Sequence, residues 1–385
     1  MNKIAIDAAH ELLPLISRLR DTTESERRLA RPIVDALIAT RLCRAAIPEE
    51  LGGLALPTID SLMIHEALAR AEASVAWIVW NNALPSFFGR FLAPAARAEI
   101  FGEPRWLYAG STRPSGRAGI EADGYRVSGR WSLVSGCELA EWIAVRCMIE
   151  ENGAPRMLMP GVPELRMVYL RRGEFEILDT WHTGGLRGSG SHDIVVNAKV
   201  VPRRFTCSPL DGSSLDGTLG RLPIVCTMSA GYAALLLGLG AAAVDALIAL
   251  SKNKPAIDPG PSLNERPVVL AAIAEHQARL DSARDYLHRC VAYQWSLVDG
   301  GGAATLDSIA DIFGAAHHAM AQVRAAVSAM YAAAGASSLY TSSPLERIHR
   351  DLHAMNAHLI AQPMWLEDVG RVRLGIKPLN PLFPL

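Results

Sequence analysis

What this chain lacks narrows its chemistry before anything it contains. Its six cysteines, at 43, 137, 147, 207, 226 and 290, form no Cys-x-x-Cys pair and no Cys/His ligand spacing, so structural zinc is not expected. Reduced thiols in a cytoplasmic setting are the expectation instead. No Gly-x-Gly-x-x-Gly follows a strand-like run, and Gly-x-x-x-x-Gly-Lys-Ser/Thr is absent, which argues against a Rossmann nicotinamide enzyme or a P-loop ATPase. Any redox cofactor must then be held another way. Charge excess is missing too: 38 basic against 39 acidic residues give a net charge of −1, so neither nucleic acid nor an anionic membrane is expected as partner. The first residues lack the basic-then-apolar pattern of a secretory signal. The stretch 226–250 is long and apolar enough for a membrane span. It contains Asp245, has little flanking positive charge and runs on into other helical patterns, so it reads as a buried helix.

What is present is a chain of 385 residues, half of them hydrophobic, enough for two or three packed units. From residue 5 to about 105 apolar residues recur at helical spacing, as in Ile33, Val34, Leu37 and Ile38, and Ser74 is placed to cap a helix running through Trp77, Trp80 and Asn82. Near 106 the pattern changes to short alternating runs with a hairpin signal at Asp123-Gly124. After about 217 four long helical segments, 220–252, 266–299, 303–336 and 344–374, suit an antiparallel bundle. The connector 253–265, with Pro255 and Pro259, would break any continuing helix. The expected fold is mainly α with a central β domain: helical 1–105, β 106–216, and a four-helix bundle with an extended tail over 217–385.

Three stretches can carry chemistry. In 129–137, Gly-Arg-Trp-Ser-Leu-Val-Ser-Gly-Cys, a strand ends at Ser135-Gly136 after Trp131, presenting a flat ring and a hydroxyl that suit a planar polar ring system such as a flavin. An ordinary strand and turn has the same pattern. The approach 110–118, Gly-Ser-Thr-Arg-Pro-Ser-Gly-Arg-Ala, lets backbone come close to a bound ring. In 181–193, the glycines, Arg187, Ser189 and Ser191 make a loop that can hold polar cofactor atoms or simply connect strands. The third stretch, 346–359, carries Glu346, His349, His353 and His358 at helical spacings, with His358 in an otherwise apolar run where a lone helical histidine is more often a satisfied core residue than a catalytic one. A di-iron bundle needs a second Glu-x-x-His pair, and none is found.

In this order, 123–137, then Gly185-Leu-Arg-Gly-Ser-Gly-Ser-His-Asp with Val201-Pro202, then the Arg350-Asp351 helix, the chain resembles the acyl-CoA dehydrogenase fold superfamily across nearly its whole length. The Gly-x-Trp-x-x-x-Ser-Gly-Cys form, the Gly-Ser-Gly-Ser-His-Asp form and a histidine eight residues after Arg350 are similar to its flavin-dependent monooxygenase branch. That branch includes oxygenase components acting on 4-hydroxyphenylacetate, dibenzothiophene and indole or indoleacetate. The dehydrogenases carry a catalytic carboxylate shortly after the Arg-Asp pair, whereas no Glu or Asp occurs here from 352 to 366.

The resemblance implies the oxygenase component of a two-component system. Reduced FAD or FMN would come from a separate NAD(P)H:flavin reductase, O₂ would be co-substrate, and a C4a-(hydro)peroxide would hydroxylate an aromatic or heteroaromatic compound. It implies catalytic roles for His358 and Ser135. It further implies cofactor contacts from Trp131, Ser135, Gly136, Arg187, Ser189 and Ser191, a substrate contact from Asn82, and a homotetramer built as a dimer of dimers. The alternatives are an acyl-CoA dehydrogenase-like enzyme with a displaced base and a non-catalytic oligomeric ligand-binding scaffold.

Overall fold

The computed structural model describes residues 3–253 and 261–383, so Pro255 and Pro259 of the expected connector lie outside the described residues. Five helices come first: α1 (Lys3–Glu26), α2 (Arg31–Thr40), α3 (Thr58–Ala71), α4 (Ala73–Gly89) and α5 (Pro94–Phe101). Helix α4 is capped by Glu72 and not by Ser74: the Glu72 side chain, two residues earlier, accepts the Ser74 N–H and so satisfies an orphan donor of the first turn. The buried Arg44 ties these helices to the next layer by donating to the carbonyls of Phe101, Glu103 and Trp106 and to the Tyr108 hydroxyl.

The strands are β1 (Leu107–Glu121), β2 (Gly124–Trp131), β3 (Ala140–Glu151), β4 (Ala154–Pro155), β5 (Met157–Met159), β6 (Val162–Pro163), β7 (Leu165–Arg171), β8 (Glu176–Leu178), β9 (Asp193–Pro202) and β10 (Thr206–Cys207). The expected hairpin forms, with Glu121 opposite Gly124. The described strands make one mixed sheet in the order β10-β7-β3-β1-β2-β9-β8, with β4 beside β3 and a separate β5-β6 ribbon. Strands β1 and β3 run parallel, and a parallel neighbour cannot be reached by a tight hairpin. Segment 132–139 therefore carries the chain from β2, on one side of β1, to β3 on the other. That crossing brings Ser135 to the end of the sheet, against α4.

The remaining helices are α6 (Thr218–Arg221), α7 (Ile224–Asn253), α8 (Pro267–Asp299), α9 (Leu306–Ala334), α10 (Pro344–Asn356) and α11 (Met364–Arg373). Helix α7 passes the length and hydropathy test for a membrane span, yet 67% of its most apolar window is buried, packed on α3, α8 and α9. Its Asp245 pairs with Arg70 of α3. The expected last helix, 344–374, is corrected to two. Helix α10 ends at Asn356, a short 3₁₀ turn covers Leu359–Ala361, and α11 begins at Met364. The six cysteines are all buried, and burial pushes the thiols of Cys43, Cys137, Cys147, Cys207 and Cys226 up to about 12.

Candidate functional site

A cavity of about 660 Å³ opens where α4, the N-terminal end of α7, the C-terminal end of α10, the β1 edge and the loops 132–135 and 183–191 meet. This is within the ~300–1,000 Å³ usual for cofactor and small-molecule sites. Helix α4 supplies Trp77, Trp80 and Asn81, one helical stripe of aromatic and polar side chains.

The crossing loop and the glycine loop meet at one wall of this cavity. The Trp77 Nε1–H donates to Ser135 Oγ at 2.9 Å, Ser135 and Ser191 hydroxyls lie 2.8 Å apart, and Ser191 and Ser189 hydroxyls 2.7 Å apart. An indole N–H can only donate, so Ser135 Oγ is fixed as its acceptor and keeps its own proton free for Ser191 or for a group in the cavity. Backbone bonds hold the pair of loops in register: Gly136 N–H donates to Ser189 O at 3.0 Å and Val134 N–H to His192 O at 3.0 Å. Gly136 has φ +71°, a left-handed conformation that glycine adopts without strain.

His358 forms another part of the wall. Its ring stacks on Tyr232 at 5.6 Å and 25°, and takes edge contacts from Trp77 and Trp80 at 5.6 and 5.4 Å. Its Nδ1 accepts the Ile360 N–H at 3.2 Å, the cap of the short turn after α10. A neutral imidazole with Nδ1 accepting carries its proton on Nε2, so the ring is a hydrogen-bond donor there. Burial, with a smaller contribution from the nearby Arg113 guanidinium, pushes His358 down to about 4, so it stays neutral at physiological pH.

The glycine loop is anchored from beneath by the Arg-Asp pair. Asp351, fully buried, accepts the Leu186 N–H at 2.6 Å, and Arg350 donates to Gly184 O while pairing with Glu24 and Glu346. An added Cβ at Gly185 would run into the Arg350 carbonyl, which explains glycine at that position.

Ser135, Ser191 and His358 are thus brought to one cavity, together with Trp77 and Trp80. Other expected contacts sit elsewhere. Trp131 is fully buried, its Nε1 bonded to Arg146 O at 3.0 Å, and its ring covers the paired Gly116 and Gly129, where an added Cβ would collide with it. It is core and not a platform for a bound ring, a correction whose cause is the period of two that puts Tyr125, Val127 and Trp131 on the inner face of β2. Asn82 donates to Tyr108 O at 2.9 Å and faces β1; its neighbour Asn81 lines the cavity, since one residue turns a helix by a quarter turn or more. Arg187 is drawn away by α1, donating to Glu24 O and lying 3.6 Å from its carboxylate. Ser189 and Gly136 support the wall from behind, Ser189 through Ser191.

Two lining residues that sequence reading did not single out are Arg113 and Arg146. No Asp or Glu lines the cavity among the described residues. A planar polar ring system fits this set: aromatic walls, a hydroxyl pair able to donate or accept, a neutral histidine donor, and no carboxylate to repel a reduced, electron-rich ring.

The family described as acyl-CoA dehydrogenase matches in two parts, its N-terminal domain over residues 7–89 and its C-terminal domain over 230–363, together more than half of the chain. An indole-3-acetate monooxygenase of Acinetobacter baumannii is 26% identical over 98% of this chain and 98% of that protein. The HsaA oxygenase subunit of a flavin-dependent monooxygenase from Mycobacterium tuberculosis is 27% identical over 92% and 91%. Among solved structures, the 3-HSA hydroxylase from Rhodococcus sp. RHA1 superposes with a TM-score of 0.90 at 23% identity, covering 98% of both chains. The chain therefore belongs to the acyl-CoA dehydrogenase superfamily, and the two relatives above are named as monooxygenases.

Proposed function

We propose that this protein is the oxygenase component of a two-component monooxygenase that hydroxylates an aromatic or heteroaromatic small molecule. It would take reduced FAD or FMN from a separate NAD(P)H:flavin reductase, in line with relatives named as oxygenase subunits. The observation that carries the reading is His358, a neutral donor in an aromatic wall of a cavity that no described carboxylate lines. Abstraction of a thioester α-proton needs a positioned base. A ring pushed down to about 4 with Nδ1 already occupied is a poor base and a good donor, which supports oxygen insertion over dehydrogenation.

The reduced flavin, when bound, supplies the electrons that activate O₂. The chain's own residues do the rest. Ser135 and Ser191 would hold polar ring atoms of the flavin, with Ser135 kept in place by Trp77. His358 would donate through Nε2 to oxygen or to a substrate hydroxyl, and Trp77, Trp80 and Tyr232 would keep water from that donor. A homotetramer, a cytoplasmic location and the domain limits 1–105, 106–216 and 217–385 belong to the same proposal. Sedimentation of the purified protein tests the first of these.

The functional test supplies chemically reduced FAD or FMN and O₂ with indoles, phenols and fused heteroaromatics, scoring oxygenated product. The expected result is product from at least one class. Hydrogen peroxide alone across the panel, with bleaching of bound oxidised flavin by an acyl-CoA, would replace this reading with a dehydrogenase.

A further inference from the structure

Arg113 and Arg146 both line the cavity, and neither guanidinium has a hydrogen bond or ion pair within the described chain. Their meeting is a product of the sheet. Strand β1 pairs with β3 through Ser111 opposite Val145 and resumes with Gly116 opposite Cys147, so residues 112–115 bulge out of register beside Arg146. A bulge of this kind re-aims side chains at a strand edge. Here the bulge carries Arg113, an exposed residue, into the lining of the cavity that Arg146 of β3 also lines, and burial disfavours the charged form of the Arg146 guanidinium. Arg350 also lines the cavity, but Glu24 and Glu346 neutralise it.

The Arg146 guanidinium, partly desolvated and without a partner among the described residues, is disfavoured in its charged form as it stands, whereas the exposed Arg113 remains hydrated. An anion in the cavity would reverse that cost through charge-assisted, bidentate hydrogen bonds. We infer that Arg113 and Arg146 form an anion subsite whose occupant is the carboxylate of an aromatic acid substrate, a specificity determinant that rests, for the word substrate, on the monooxygenase reading above.

A flavin phosphate is the other source of an anion, and position decides against it. Arg113 is near enough to His358 to act electrostatically on its ring. His358 is the group assigned to the reacting end of the site, and a flavin phosphate is held away from that end by the ribityl chain. A carboxylate one or two bonds from the aromatic ring of a substrate has the matching reach.

The experiment uses the intact protein and direct binding. Calorimetry measures indole-3-acetate against indole-3-acetamide, and 4-hydroxybenzoate against 4-hydroxybenzamide, each pair differing chiefly in the anionic charge. Wild type is expected to favour at least one acid over its amide. In Arg113→Met the acid-to-amide ratio for that pair is expected to fall by on the order of tenfold to a hundredfold, the loss expected for charged hydrogen bonds. Arg113→Lys should keep part of the preference, and Arg146→Met provides a second, independent variant. Titration of FAD and FMN into the same proteins separates the sources. A drop in flavin affinity with the acid preference intact assigns the subsite to the flavin phosphate and overturns the proposal. So does a wild type that binds no acid more tightly than its amide. If an acid binds through Arg113 but reduced flavin and O₂ yield no oxygenated product from it, the subsite stands and the activity reading falls.

Discussion

Replacing His358 by Ala removes the Nε2–H donor while leaving most of the aromatic wall. Oxygenated product per flavin oxidised is expected to fall about tenfold or more, with hydrogen peroxide rising to match, since removal of a single preorganised donor commonly costs ~10²-fold in rate. Unchanged coupling would remove His358 from the chemistry. The same residue sets a pH signature. Because the folded ring protonates only near pH 4 and not near 6.5, the acid limb of the coupling profile is expected near pH 4. Arg113→Met removes one of the influences that lower it and should move that limb upward. Ser135→Ala acts differently: it leaves the buried Trp77 N–H without an acceptor, at a cost of about 1–3 kcal/mol, and withdraws a hydroxyl from the cavity. Thermal unfolding and flavin titration should both register it. At this scale the sequence was legible where a residue's job is local. Ser135 and Ser191 lie beside Gly136 and Gly190 in loops that flank β2 and β9 and that the glycines mark in the sequence, whereas Trp131 and Asn82 depended on which face of a strand or helix was turned inward.

The glycine loop and α10 act as one element, and Asp351 is the joint. Asp351→Ala should destabilise by about 1–3 kcal/mol by orphaning the Leu186 N–H, with a lowered melting temperature as the readout. Asp351→Asn keeps an acceptor and tests the charge. Burial, then Glu72 nearby, raise the Asp351 carboxyl well above its ordinary range, so the folded state holds a proton that the unfolded chain releases. That contribution is fully present below the unfolded pKa and is lost as pH rises through the folded one. The stability advantage of wild type over Asp351→Asn should therefore be larger at pH 5 than at pH 8. An advantage that grows with pH would contradict a raised pKa. The Gly-rich loop and the Arg350-Asp351 pair were readable as motifs, but their contact spans 165 positions in the chain and leaves no local pattern. The end of α10 was equally hidden. No Gly or Pro stands between 350 and 362, and the break is made by His358 turning its Nδ1 onto the Ile360 N–H.

At the scale of the whole molecule, the succession of helices, sheet and helices was visible from the change of hydrophobic period, while the sheet order and the destination of the tail were not, since both depend on contacts between distant segments. The extended tail lies on its own bundle. Phe383 is fully buried and stacks on Phe313 at 4.9 Å, and Phe313 stacks in turn on Trp365 at 4.9 Å. Asp368 fixes the approach by accepting the N–H groups of Leu379 and Asn380. Trp365 and Leu382 line the cavity, and Trp365 Nε1 donates to Leu359 O at 2.9 Å, one residue beyond His358. The tail therefore braces the wall that holds the histidine. Phe383→Ala opens a hole beneath that wall at a cost of about 3–5 kcal/mol, so the melting temperature should drop by several degrees. If bracing matters for chemistry, hydrogen peroxide should also rise relative to product, because a loosened wall admits water beside His358. A Phe383→Leu variant, which refills most of the volume, should recover both readouts together. Recovery of the melting temperature with peroxide still high would separate stability from water exclusion and assign the aromatic stack itself to the site. Wild-type behaviour of Phe383→Ala in both measurements would detach the tail from the site altogether.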